Sequence, residues 1–311
     1  MKIVVAGGTG FLGRPLTRQL ASEGHDVVIL TRRSGQSDAG ARLVVWSPGG
    51  NVGNGGAWAS EIDGAHAVVN LAGESIAGRR WSAAHKQQIL DSRIRATRSL
   101  AAAIARASRP PSVFVSGSAV GYYGPLGDEL AVESTPAGSD FLARVCEQWE
   151  AEANRAASPR TRVVCIRTGL VLERDGGALP QMLPPFKFGA GGPVGSGRQY
   201  WPWIHRTDWI DLVRFAMRTD AAAGPLNATA PEPVRNAEFA HALGRALRRP
   251  SFMPAPAFAL RLMLGEMADA LLLSGQRAVP ARAKKLGFSF KYARLDDALA
   301  AIFGRVDQRS G

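Results

Sequence analysis

The sequence predicts an α/β protein, a doubly wound parallel sheet followed by a smaller, mostly helical C-terminal subdomain. Three observations predict it. Short β-branched apolar runs alternate with amphipathic helical segments, a glycine-rich turn follows the first run, and after residue 230 the pattern becomes almost wholly helical.

The runs are IVVA (3–6), DVVILT (26–31), RLVVW (42–46), HAVVNL (66–71), SVFVS (112–116) and RVVCI (162–166). They are short and apolar without strict alternation, as strands covered on both faces are. Helical spacing falls near 11–23, 82–107 and 139–157. The last segment shows it most plainly. Phe141, Val145 and Trp149 recur every fourth residue with Leu142 and Cys146 beside them, while Arg144, Glu147, Gln148 and Glu152 fall on the other side. Ser139 and Asp140 supply start signals. Residues 47–60 read as a surface loop, and GGALPQMLPPFKFGAGGPVGSG (176–197) as too rich in Gly and Pro to be one regular element. Further on, helical patterns cover 236–249, 256–273 and 295–303. The expected division is therefore a nucleotide-binding domain over 1–229, carrying a lid segment at 176–199, and a substrate-side subdomain over 230–311.

A chain of 311 residues with 46% hydrophobic content buries a large core. Its apolar runs are too short to span a bilayer, and Met1 and Lys2 lead straight into the first strand. A cytoplasmic location without membrane contact is expected. Cys146 and Cys165 both fall in apolar patterns and suggest buried thiols. His25, His66, His85 and His241 are scattered without metal-ligand spacing, so no metal is expected. The net charge of +12 raises the question of nucleic acid. The basic residues, however, come in ones and twos, such as Arg79-Arg80, Arg248-Arg249 and Lys284-Lys285, with no basic run. An anionic small ligand accounts for part of the charge more economically. The expected partner is a small molecule, to a monomer or homodimer.

Residues 7–13 read GGTGFLG, between the first strand and a helix beginning near Phe11. Gly7, Gly10 and Gly13 allow a tight turn, close approach of backbone to a pyrophosphate, and close helix–strand packing. Thr9, Phe11 and Leu12 complete the candidate loop. Strand, loop and helix in this order make a Rossmann-like dinucleotide site. Where an NAD site places a carboxylate at the end of the second strand, this chain has Thr31, Arg32 and Arg33. A guanidinium suits a 2′-phosphate, so NADP(H) is favoured, with Arg32 nearest the strand end.

The sequence resembles the extended short-chain dehydrogenase/reductase superfamily, and more closely its atypical NADP-binding "epimerase family" branch, whose members carry their own C-terminal domain. The resemblance runs over essentially the whole chain. It rests on GGTGFLG, VVNLAGESI (68–76), WSAAHKQQILDSRIRATRSL (81–100), SGSAVGYYG (116–124), RTGLVLERDGGALPQML (167–183), GGPVGSGRQYWPWIHRTD (191–208) and GQRAVPARAKKLGF (275–288). It implies that Leu71, Ala72 and Gly73 lie along the cofactor, that Gln88 and Arg93 approach it, and that Val171 is near the nicotinamide end.

Ordinary members use a Tyr-x-x-x-Lys pair with a preceding Ser, the Tyr exchanging a proton with substrate and the Lys lowering its pKa. In extended members a Glu follows the Lys by four residues. Setting that Glu at Glu150 puts Leu142 in the Tyr position and Cys146 in the Lys position, and residues 125–160 contain neither Tyr nor Lys. Ser118 keeps the Ser position. Tyr122 and Tyr123, at the end of the same strand, are the remaining acid/base candidates. His205 and Asp208 in WIHRTD invite a catalytic reading as a His–Asp pair, but no nucleophile motif accompanies them and a structural hydrogen-bonding His is favoured; Trp201, Trp203 and Trp209 read as core. The function expected is an NADP(H)-binding oxidoreductase- or epimerase-like protein. The alternative is an NADP(H)-binding or sensing protein without turnover.

Overall fold

The computed structural model describes residues 1–32, 35, 40–49 and 56–304. A seven-stranded sheet is formed by β1 (Lys2–Ala6), β2 (Asp26–Thr31), β3 (Arg42–Val45), β4 (Ala67–Asn70), β5 (Val113–Ala119), β6 (Arg162–Thr168) and β7 (Gly224–Ala228). Its spatial order is β7-β6-β5-β4-β1-β2-β3. The β1–β2, β1–β4, β2–β3, β4–β5 and β5–β6 pairs are parallel. Each apolar run of the sequence forms one of these strands. β7, with sequence GPLNA, has a single bulky apolar residue and gave no such signal.

Val4, Val5, Ala6, Val68, Val69 and Phe114 are fully buried, as expected of inner strands covered on both faces. The chain builds outward from β1 to β3, returns to β4 and builds outward again on the other side. The strand order therefore reverses between β1 and β4, and their carboxyl ends flank the crevice that such a sheet leaves for a ligand.

Three helices belong to this sheet: α1 (Gly13–Ser22), α2 (Ala83–Arg106) and α3 (Phe141–Asn154). Ser82 starts α2 from an extended conformation, its hydroxyl accepting from the His85 amide at 3.2 Å. Asp140 starts α3 in the same way, accepting from the Ala143 amide at 2.7 Å. The apolar stripe of α3 buries Leu142, Val145, Cys146, Trp149 and Ala153. Each large side chain there contributes about 2 kcal/mol of burial. Trp149 lies so close to β5 that a methyl group at Gly117 would meet its ring at 2.9 Å.

The described chain forms two compact units. The first comprises residues 1–122, 137–168 and 210–226; the second comprises 123–136, 169–209 and the chain from 227 onward. The sequence pattern suggests one boundary, at 229, whereas the second unit also takes in two earlier segments. Short strand pairings tie it together: Leu130–Ala131 with Arg277–Ala278, Leu170–Leu172 with Trp203–His205, and Tyr200–Trp201 with Val234–Arg235. Its core includes Leu172, Phe186, Trp201, Trp203, Phe239 and Leu299.

The stretch 176–197 is not one regular element, although part of it is a helix, α4 (Leu179–Lys187), with Pro180 in its first turn, where no amide is needed, and Pro184 and Pro185 inside it. Next come α5 (Arg206–Arg218) and α6 (Asn236–Leu247). The single helix expected over 256–273 is broken at Gly265, whose φ of 63° is open to glycine. It becomes α7 (Ala257–Leu264), a short turn at Glu266–Ala268 and a π-helical turn at Asp269–Leu273.

Candidate functional site

In the first unit, the glycine loop sits at the crevice between β1 and β4. Gly7 has a φ of 77°, and a Cβ there would stand 2.7 Å from the Leu71 carbonyl carbon and 2.9 Å from the Ala72 nitrogen. A side chain at Gly13 would overlap the Gly7 carbonyl. Only glycine allows the loop to fold this tightly against the end of β4. The Gly10 amide donates to the Gly7 carbonyl at 3.1 Å, leaving Thr9 and Gly10 exposed and Phe11 and Leu12 half-buried. At the start of α1 there is no side-chain cap and no acidic residue in the first turn, so its amide dipoles are not countered by a carboxylate.

Asn70 sets the turn after β4. Its Nδ2 donates to Thr97 Oγ1 at 2.8 Å and its Oδ1 accepts from the Ala72 amide at 3.2 Å. Leu71 and Ala72 are half-buried and Gly73 is exposed. A Cβ at Gly73 would lie 3.2 Å from Arg93 Cζ, so the structure brings Gly73 and Arg93 together.

Arg93 is buried on α2, with the Glu74 carboxylate near enough to act on it but no carboxylate at ion-pair distance among the described residues. Its Nη1 donates to the carbonyls of Glu74 and Ile89 at 3.1 and 3.0 Å, and its guanidinium carbon lies 5.1 Å from the centre of the Trp149 ring. Nε and Nη2 have no partner among the described residues. Burial lowers the pKa of this guanidinium, the signature of a charge held away from water. Gln88, by contrast, is exposed and accepts a short hydrogen bond from Arg79. At the end of β2, Thr31 is half-buried and Arg32 exposed; Arg33 lies outside the described residues.

Where the superfamily pattern has its catalytic helix, α3 presents Leu142 and Cys146, both buried. Burial, and then the nearby Glu150 carboxylate, push the Cys146 thiol up to about 12, so it is neutral at physiological pH. Beside it stands a charged network that the sequence analysis missed. Glu150 accepts from Arg167 Nε at 2.8 Å and Nη2 at 2.9 Å, and from the Ser118 hydroxyl at 2.6 Å. All three residues are buried. Arg167 also lies face-on to Tyr122, its guanidinium carbon 3.5 Å from the ring centre. The signal for Arg167 was a lone charge ending the apolar strand VVCIRT, at a position where only a partnered cation is tolerated.

The two tyrosines differ. Tyr122, in the first unit, is half-buried. Tyr123, in the second, is 1% exposed and donates to Asn227 Oδ1 at 2.6 Å. Asn227 is held in turn, its amide donating to Glu133 at 3.0 Å and its Nδ2 to the Val279 carbonyl at 2.9 Å. The Tyr123 hydroxyl proton is thus committed to Asn227.

Val171, also in the second unit, is buried in the strand paired with Trp203–His205, opposite Ile204. His205 and Asp208 do not bond each other. The Nδ1 of His205 accepts from the Thr207 amide at 3.1 Å, its ring stacks on Tyr292 at 4.0 Å, and burial lowers its pKa. Asp208 accepts from the amides of Lys291 and Tyr292 at 2.8 and 2.9 Å. Both are structural, and Trp201, Trp203 and Trp209 are buried in the core.

Comparison with known proteins follows the same lines. Residues 3–228 match the model of the NAD dependent epimerase/dehydratase family, and residues 255–302 match a domain of unknown function, DUF1731. The chloroplastic homolog of epimerase family protein SDR39U1 from Arabidopsis thaliana is 43% identical over 304 residues, covering 97% of this chain and 86% of its own. An epimerase family protein of Mycobacterium leprae is 40% identical over 306 residues, covering 98% and 97%. The crystal structure of human epimerase family protein SDR39U1 with NADPH aligns with a TM-score of 0.88 at 37% identity, covering 97% of this chain and 99% of that one.

Proposed function

Since this chain belongs to the NAD dependent epimerase/dehydratase family, we propose that it binds NADP(H) and acts on a small molecule as an oxidoreductase- or epimerase-like protein that lacks the Tyr-x-x-x-Lys pair. The observation that carries the reading is the glycine cradle at the reversal of strand order, where Gly7 touches the Leu71–Ala72 backbone. The fit is supported by the uncapped start of α1 for a pyrophosphate, by Arg32 for a 2′-phosphate, and by the unspent donors of Arg93 beside Gly73. The NADPH in the human relative's structure is consistent with it.

When bound, the cofactor supplies hydride chemistry at its nicotinamide ring. The chain's own residues have narrower roles. Because Ser118 gives its proton to Glu150, its oxygen is left as an acceptor that orients a donor group of the substrate. Arg167 holds both Glu150 and the Tyr122 ring in place, leaving Tyr122 as the candidate for proton exchange. A second reading, a non-catalytic NADP(H)-binding or sensing protein, is favoured by Leu142 and Cys146 on α3.

The test is an anaerobic screen in which NADPH absorbance is followed with the protein and sets of carbonyl compounds and quinones. The proposal expects oxidation dependent on one class and a loss of about a hundredfold in kcat in Tyr122→Phe, within the usual contribution of a general acid. Unchanged rates in Tyr122→Phe would remove the tyrosine role. Saturable binding with no oxidation by any class would remove net reduction of these substrates and favour the second reading over the oxidoreductase one.

A further inference from the structure

A different face of the second unit has no role in that reading. α7 has the sequence AFALRLML, polar only at Arg261, yet none of its residues is buried. Phe258, Leu262 and Met263 on α7, with Phe188 and Phe252, are 69–87% exposed. A helix that is apolar nearly all round and faces water is missing a partner. The neighbouring chain continues the same face. The Met253 amide donates to the Gly191 carbonyl at 3.1 Å and the Ala255 amide to the Pro193 carbonyl at 2.8 Å, so the segment that follows α4 runs beside the strap leading into α7.

Cations stand beside these apolar residues in the chain: Lys187 adjoins Phe188, Arg248 and Arg249 precede Phe252, and a Cβ at Gly189 would lie 3.9 Å from Pro250, while an exposed acidic residue, Glu266, follows α7. Lys187, Arg248 and Arg249 are exposed and have no carboxylate partner among the described residues. The acidic Asp269 nearby is neutralised by Arg261 at 2.8 Å. Arg248 is the sole non-glycine residue with positive φ among those described, at 54°, at the C-cap of α6. Glycine is the least costly residue there, and the chain keeps a cation instead.

We propose that this face docks on an anionic lipid bilayer, with the Phe, Leu and Met side chains entering the headgroup boundary and Lys187, Arg248 and Arg249 meeting the headgroups. A second copy of this chain is a poorer occupant, since it would bring the same cations toward the first. Docking of this kind needs no spanning segment: no described helix is long and apolar enough to cross a membrane. It revises the expectation of no membrane contact, which rested on spanning segments alone.

The test is co-sedimentation of the full chain with phosphatidylcholine vesicles, with and without phosphatidylglycerol, at low and high salt. Binding to the mixed vesicles alone, weakened by salt, is expected. Phe258→Ser with Leu262→Ser should lower it by more than about tenfold. Arg248→Gly should lower it about fivefold while the melting temperature holds or rises, since glycine relieves the left-handed strain. NADPH binding should be unchanged in both variants, so that failure here and failure of the cofactor reading are separable. Three results would overturn the proposal: no binding to mixed vesicles, binding indifferent to the apolar replacements, or a dimer in light scattering that those replacements dissolve.

Discussion

Glu150 organises the candidate site more than any residue that catalytic analogy would single out. A buried carboxylate holding Arg167 at two points and Ser118 at a third is an all-or-none arrangement, because removing one charge strands the other. Glu150→Gln should therefore lower stability by about 3 kcal/mol in denaturant titrations, while Glu150→Leu combined with Arg167→Met should recover most of the loss. Equal losses in the single and double variants would show that the pair is not coupled. At this scale the sequence was partly legible. Ser118, the glycines and Arg93 stood out by motif and resemblance. The difference between Tyr122 and Tyr123 did not, because it depends on Asn227, more than a hundred positions away and invisible as a partner until the chain is folded.

The elements show where local pattern suffices and where it fails. Strands β1 to β6 and helices α1 to α3 were legible because each is long or apolar enough for its period to dominate. α4 was not, because its prolines argue against a helix that packing of Leu179, Leu183 and Phe186 nevertheless maintains. One tie between elements is testable by pH. Glu61, in the turn Ala59–Glu61, receives Arg42 of β3 at 2.6 and 2.7 Å and Lys2 of β1 at 2.9 Å. Hydrogen bonds from Arg42, and then from Lys2, hold its carboxyl at about 2 against partial burial. A folded-state value below the unfolded one stabilises the fold above the ordinary carboxylate range, and that contribution is lost as pH falls toward 2. With Arg42 half exposed, the effect is modest. Glu61→Gln should cost about 1 kcal/mol near neutral pH, and urea midpoints of variant and parent should converge in acid. A gap that stays constant with pH would contradict the ion-pair account.

For the whole molecule, alternation of runs was enough to predict a doubly wound sheet, and the Gly-rich loop to place its crevice. The division into units was less legible, since the second unit is assembled from three stretches joined by strand pairings only two residues long. Pairings so short have no periodicity of their own in sequence. What the account claims of the molecule is that this crevice holds NADP(H) and reads its 2′-phosphate through Arg32. The most direct measurement is a fluorescence titration of the protein and of Arg32→Ala with NADPH and with NADH. The account predicts saturable binding, a preference for NADPH of more than about tenfold, and loss of that preference in Arg32→Ala with NADH affinity unchanged. Equal affinity for the two nucleotides, or a preference that survives Arg32→Ala, would contradict it.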